Sequence, residues 1–154
     1  MKIAIIGTKG IPANYGGFET FAYHLAKNLS VNHDITVVNE KGNLALEFHF
    51  PVHVLYSDYE KSKNPLKFYR QSLRITGNTN DIVLVCGVGG SLFYPLRGGG
   101  KIVTNVDGLE HKRRKYSFMQ RTFVFILQIV STFLSDHLIA DSDAVRNYWF
   151  KRFH

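Results

Sequence analysis

The 154-residue sequence has one cysteine, Cys86, so no intramolecular disulfide can form, and sparing cysteine use points to a reducing compartment. No stretch reaches the roughly 18–20 apolar residues that span a bilayer. Only four apolar residues lie between Lys2 and Gly7, too few for the core of a secretion signal. The seven histidines show no metal-ligand spacing: His49 and His53 are four apart, but Pro51 between them breaks a helix, and no metal is expected. Repeats, low-complexity tracts and internal linkers are all missing. Acidic residues are scarce, 12 against 19 Lys and Arg, and the resulting formal charge of +7 points to polyanionic partners: nucleic acid, phosphorylated ligands or an anionic membrane. The length is that of one ordinary domain, and 45% hydrophobic residues suffice for a core.

The chain alternates between strand and helix patterns. Ile3–Ile6 reads as a buried strand. Phe18, Phe21, Ala22, Leu25, Ala26 and Leu29 recur at helical spacing. Asp34–Val38 and Val52–Tyr56 are the next strands, and a helix starts at Pro65 and covers Leu66–Ile75. Asp81–Cys86 is a strand stopped by Gly87-Val88-Gly89-Gly90. Ser91–Leu96 forms a short helix, Lys101–Val106 a strand, Ser117–Ser135 a long helix and His137–Ala140 the last strand. Asp141 or Ser142 caps a final helix running through Trp149. Uniformly apolar strands alternating with helices predict an α/β fold, a doubly wound, Rossmann-like parallel sheet of about six strands or more. No stop signal ends the last helix and nothing follows to cover its aromatic residues, so the chain reads as the first part of a longer protein.

The most informative segment is residues 7–17, Gly-Thr-Lys-Gly-Ile-Pro-Ala-Asn-Tyr-Gly-Gly, between the first strand and the first helix. Strand, glycine-rich loop, helix is the order that aims backbone N–H groups and a helix N-terminus at an anion. The spacing is neither the dinucleotide G-x-G-x-x-G nor the P-loop G-x-x-x-x-G-K-[ST]. At eleven residues the segment also exceeds the usual connection of about 2–6. Glycines at its last two positions leave room for something bulky beside the helix terminus, which suits a sugar nucleotide better than a bare pyrophosphate.

Residues 6–20, Ile-Gly-Thr-Lys-Gly-Ile-Pro-Ala-Asn-Tyr-Gly-Gly-Phe-Glu-Thr, resemble the N-terminal signature of a branch of the family 4, GT-B glycosyltransferases. That branch includes bacterial rhamnosyltransferases of capsule and cell-wall polysaccharide synthesis. Val106-Asp107-Gly108-Leu109-Glu110-His111-Lys112-Arg113 is similar to a second signature, in which the residue after Glu is more often Trp, and Ile139-Ala140-Asp141-Ser142 to a third. The resemblance implies a retaining hexosyltransferase with two Rossmann-like halves and the active site in the cleft between them. Residues 1–154 correspond to the N-terminal, mainly acceptor-binding half. The donor-binding half with its paired glutamates is not in this chain, so the chain alone is expected to be inactive. Implied partners are a nucleotide sugar, a lipid-linked or oligosaccharide acceptor and the second domain. No cofactor or metal is implied, and the setting is cytoplasmic, with peripheral attachment to the inner membrane face.

Each candidate residue has a functional and a plain structural reading. Gly16 and Gly17 either present the helix terminus to the donor diphosphate, whose charge grows as the glycosidic bond breaks, or only serve a tight turn. Asp107, after a buried strand, is the candidate catalytic residue: it orients an acceptor hydroxyl or takes its proton, although Asp-Gly is also ordinary turn chemistry. Asn14, Tyr15, Glu19, Glu110, His111, Lys112 and Arg113 are candidate acceptor-binding residues. Glu19 serves equally well as a carboxylate at a helix N-terminus, and the run His111–Lys115 as a solvated charge cluster or a phosphate contact. Lys63, Lys67, Arg70 and Arg74 form one basic stripe with Phe68 near its edge, either an exposed face or a contact with anionic lipid. Phe123–Val130 is apolar all round and too short to span a membrane, so core packing is expected, with part of its surface left for the second domain. Cys86 reads as a small core residue. Two other function classes remain: a nucleotide- or polyanion-binding module, and a non-catalytic subunit docking a separate donor-domain protein. Nucleic acid is disfavoured, because the aromatics sit at core spacing rather than among basic residues.

Overall fold

The computed structural model describes residues 1–13, 16–43, 47–96, 98–106, 108–109 and 117–153. Six strands form one sheet: β1 (Lys2–Ile6), β2 (Asp34–Asn39), β3 (His53–Tyr56), β4 (Ile82–Cys86), β5 (Lys101–Asn105) and β6 (His137–Ile139). Their spatial order is β3-β2-β1-β4-β5-β6 and every pairing is parallel. This is the order of a doubly wound, Rossmann-like fold, with the reversal of winding beside β1. Each expected strand and helix is present, with ends displaced by one residue or a few. The connecting helices are α1 (Gly17–Leu29), α2 (Pro65–Ile75) and α3 (Phe118–Leu134), and α4 (Asp143–Phe153) follows β6. Ser91–Leu96 is a short 3-10 helix containing Pro95.

The central strands are buried on both faces, which is why they read as unbroken apolar runs. Ile3 and Ile5 of β1, Ile35 and Val37 of β2, and Leu84 and Cys86 of β4 pack under Ala22 and Ala26 of α1. The alternate residues Ala4, Ile6, Val38, Val83 and Val85 face Phe68, Tyr69 and Leu73 of α2 and Tyr94 of the 3-10 helix. The opposite directions of winding from β1 to β2 and from β3 to β4 send α1 and α2 to opposite faces through right-handed crossovers.

Pro65 opens α2 at its first position, where the missing N–H costs nothing. Ser117 caps α3 in a reciprocal box: its hydroxyl accepts from the Gln120 N–H, and the Gln120 side chain accepts from the Ser117 N–H. Ser142 Oγ accepts from the Val145 N–H 3.3 Å away at the start of α4.

Three expectations about packing are corrected. The run Phe123–Val130 is not a core segment: of these residues only Leu127 and Gln128 are buried, while Phe123 and Ile126 are exposed. The helix meets the domain along one stripe, where Leu127 accepts a hydrogen bond from Ser91 Oγ at 3.0 Å, and Phe118 and Phe133 remain 84% and 71% exposed. Trp149 does not await a later segment. It is buried with Val88, Val106, Leu127 and Val145, and its ring stacks on Phe125. Phe68 is not at the edge of the basic stripe but fully buried beneath it. Among the described residues, no helix is long and apolar enough to cross a membrane.

Candidate functional site

The carboxyl ends of β1 and β4 are where a doubly wound sheet leaves a crevice, because the chains leaving these neighbours go to opposite faces. The loop after β1 and the glycine-rich turn after β4 both lie here. Gly87 donates to the Asn105 carbonyl at 2.8 Å, closing the edge toward β5. Gly7, at φ 88°, passes so close to β4 that a Cβ on it would lie 2.5 Å from the Cys86 carbonyl oxygen. The ring of Tyr69 fills the space under Gly7, Gly89 and Gly90, and its hydroxyl donates to the Cys86 carbonyl at 2.8 Å. Burial foremost, then the nearby Cys86 and Glu19, pushes the Tyr69 phenol far above its ordinary value, so it acts as a neutral donor.

Gly16 and Gly17 open α1 at this edge, as expected, since α1 runs back from the crevice to meet β2 at the opposite end. Their roles differ. Gly16 has φ 103°, and a Cβ on it would lie 2.4 Å from Glu19 Oε2, so glycine is demanded by geometry. Gly17 has neither constraint: among the described residues, a Cβ there would meet nothing within 4 Å. Its glycine adds no side chain in front of the helix. Gly16 at the N-cap has no side chain to cap the terminus, and the first-turn N–H groups of Gly17, Phe18 and Glu19 have no intrahelical partner.

Glu19 is only 7% exposed, and its Oε1 accepts from the Lys9 N–H at 2.8 Å. One carboxylate oxygen therefore ties the long loop to the helix that follows it. From the other side the loop is held by Asn39, the last residue of β2. Asn39 Oδ1 accepts from the Ile11 N–H at 2.9 Å, and Nδ2 donates to the Ile11 carbonyl at 2.7 Å. The Ile11–Pro12 peptide is cis.

Sequence reading missed two residues here. Lys61, from the loop before α2, places its ammonium against the Gly7 carbonyl and 5.7 Å from the ring centroids of both Phe18 and Tyr69. It brings a positive charge to the same edge as the open end of α1. Asn39 is the other. Neither carries a local signal, because Lys61 lies 54 residues from Gly7 and Asn39 lies 28 from Ile11. Cys86, expected as a core residue, is fully buried. Its thiol is pushed up from 9.0 to about 12, chiefly by burial, with Lys61 pulling it down and Glu19 and Asp141 pushing it up.

Asn14, Tyr15, Asp107, Glu110, His111, Lys112 and Arg113 lie outside the described residues. Next to Asp107 on either side, the Val106 N–H donates to the Ile139 carbonyl at 3.0 Å and the Gly108 carbonyl accepts from Gln128 Nε2 at 3.2 Å. Of the basic stripe, Lys67, Arg70 and Arg74 project together from the exposed face of α2. Lys63 lies before the helix, where it pairs with Glu60 at 2.9 Å. Among the described residues, no cluster of histidine, cysteine and carboxylate side chains is placed to hold a metal ion.

Fold and crevice together define the chain as a Rossmann-like α/β protein with a glycine-rich helix terminus at its winding reversal. Residues 1–57, which carry β1, the long loop, α1, β2 and β3, match a family described as a domain of unknown function (DUF1972). No curated protein matches the sequence.

Proposed function

We propose that the chain is the acceptor-side half of a retaining glycosyltransferase, moving a sugar, rhamnose in the branch it resembles, from a nucleotide sugar to a polysaccharide or lipid-linked acceptor. The observation that carries this reading is the glycine-opened end of α1 at the winding reversal, where Gly16 and Gly17 add no side chains, with the Lys61 ammonium at the same edge. A leaving nucleoside diphosphate gains negative charge as the glycosidic bond breaks. Fixed N–H dipoles and a cation placed there favour the transition state over the ground state. The buried Glu19 carboxylate is a cost to any anion nearby, and the Lys61 charge offsets it. In this reading Asp107 orients the acceptor hydroxyl, with Asn14, Tyr15, Glu110, His111, Lys112 and Arg113 around the acceptor. The donor-binding half comes from a second domain.

The test is sugar transfer by the protein joined to a donor-binding half, using nucleotide-activated rhamnose among other donors and a lipid-diphosphate acceptor. Gly17→Val is expected to lower turnover by about tenfold or more while leaving the fold intact, the loss of one preorganised anion contact. Unchanged turnover in that variant refutes the assignment of the helix terminus. Measurable transfer by residues 1–154 alone refutes the division into two halves.

A further inference from the structure

Beyond the sugar-transfer reading, and sharing no residue with the crevice, a second concavity lies on the outer side of α2. It encloses about 460 Å³ and is lined by Tyr59, Lys67, Arg70, Gln71, Arg74 and Ile75. We propose that this recess is a binding site for a phosphate ester, a phosphate- or diphosphate-bearing anion with an attached organic group.

Four observations carry the proposal. The three cations stand at i, i+3 and i+7 on one helix face, and all three line the recess. No carboxylate lies within 4.0 Å of Lys67, Arg70 or Arg74 among the described residues, whereas Lys63 nearby has its Glu60. Three adjacent cations without counter-charge repel one another, and a multiply charged anion relieves that repulsion. The floor is fixed: Gln71 Oε1 accepts from Ser57 Oγ and from the Asp58 N–H, both at 2.8 Å, and Gln71 Nε2 donates to Asp58 Oδ2 at 2.5 Å. The Asp58 carboxylate accepts from Gln71 and makes no ion pair within 4.0 Å with any of the three cations.

The fourth observation sets the ligand class. Tyr59 forms one wall, with Lys67 Nζ 5.7 Å from its ring centroid, and Ile75 adds apolar surface. A bare phosphate would use only the cations. An ester also uses the aromatic and aliphatic walls, and the volume is in the range of small-ligand sites, about 300–1,000 Å³. Two guanidinium groups at i and i+4 suit two phosphoryl groups or two faces of one, because each fork binds phosphate oxygens in pairs. Such an ester comes either free in solution or as the headgroup of a lipid, and the chemistry of the recess is the same for both.

The experiment follows the amide and Tyr59 resonances of the 154-residue chain during titration with phenyl phosphate and, for comparison, with inorganic phosphate. In parallel, co-sedimentation is measured with vesicles of phosphatidylglycerol and of phosphatidylcholine. Arg70→Gln/Arg74→Gln is compared with Lys27→Gln/Lys151→Gln, which removes the same charge from other exposed surface. Saturable shifts confined to Tyr59 and residues 67–75, tighter with the ester than with inorganic phosphate, weakened at least about tenfold in the first variant and unchanged in the second, support a soluble ester. Binding to phosphatidylglycerol vesicles alone, with the same difference between variants, supports a headgroup. No response to the ester or to the vesicles overturns the proposal, and so does equal binding of the ester and inorganic phosphate. So does an equal loss in both variants, since only the net charge would then matter.

Discussion

Replacing Asn39 with alanine should destabilise the domain by roughly 3–5 kcal/mol, far more than an average polar truncation. Asn39 is 0% exposed, and so is Ile11, the residue it holds. The substitution strands both backbone groups of Ile11, each costing about 1–3 kcal/mol when buried without a partner. It also removes the bond from Asn39 Nδ2 to the Asn43 carbonyl at 3.2 Å, worth about 0.5–1.5 kcal/mol. Against a domain stability of about 5–15 kcal/mol, such a loss lowers the urea midpoint severely with little change in slope. Amide exchange at Ile11 should accelerate before that of the β1 and β4 core, because the bonds from Glu40 N–H and Asn43 Nδ2 to the Lys9 carbonyl still hold the rest of the loop. Asn39→Asp sharpens the test. It keeps an acceptor for the Ile11 N–H but turns a carboxylate oxygen toward the Ile11 carbonyl, so burial and repulsion raise its folded-state pKa. Its stability is then fully present below the unfolded pKa of about 3.9 and is lost as pH rises through the folded value. A loss below about 1 kcal/mol in Asn39→Ala, with Ile11 exchange unchanged, would refute the clamp.

Gly16→Ala forces a side chain into a left-handed conformation against Glu19, and a loss of about 1–3 kcal/mol is expected in chemical denaturation. Gly17→Ala meets none of the described residues within 4 Å, so its stability should stay level or rise by up to about 1 kcal/mol; equal losses for the two variants would show that their environments have been misassigned. The Cys86 thiol, raised to about 12, contributes stability that is full below its ordinary value of 9.0 and declines as pH rises from there toward 12. Cys86→Ser should therefore flatten the alkaline limb of a stability–pH profile, and an unchanged limb would assign the decline to other groups. In the protein joined to its donor-binding half, Asp107→Asn should depress kcat by about 100-fold or more without unfolding, and near-normal kinetics would remove Asp107 from the reaction.

Much of the architecture was legible because it depends on neighbours in sequence. Ile3–Ile6 and Ile82–Cys86 announce strands covered on both faces, Pro65 and Ser117 mark where helices open, and Gly16–Gly17 mark the mouth of α1. These signals are local, set by backbone conformation and by which side of an element meets water. The strand order was not local. It follows from right-handed crossovers that carry the chain from β3 past β2 and β1 to β4. That step alone brings Lys61 to Gly7 and Tyr69 beneath the glycines of two separate loops. The same limit explains the mistaken expectation for Phe123–Val130: an all-apolar helix has no pattern that says which stripe packs. The structure chose the stripe through Leu127, Gln128 and Ser131. On α2 the spacing of Lys67, Arg70 and Arg74 showed that the cations share a face. Only the packing of Tyr59 beside them, after β3 had joined β2, turned that face into a recess, because concavity is a property of two segments meeting and no single segment encodes it.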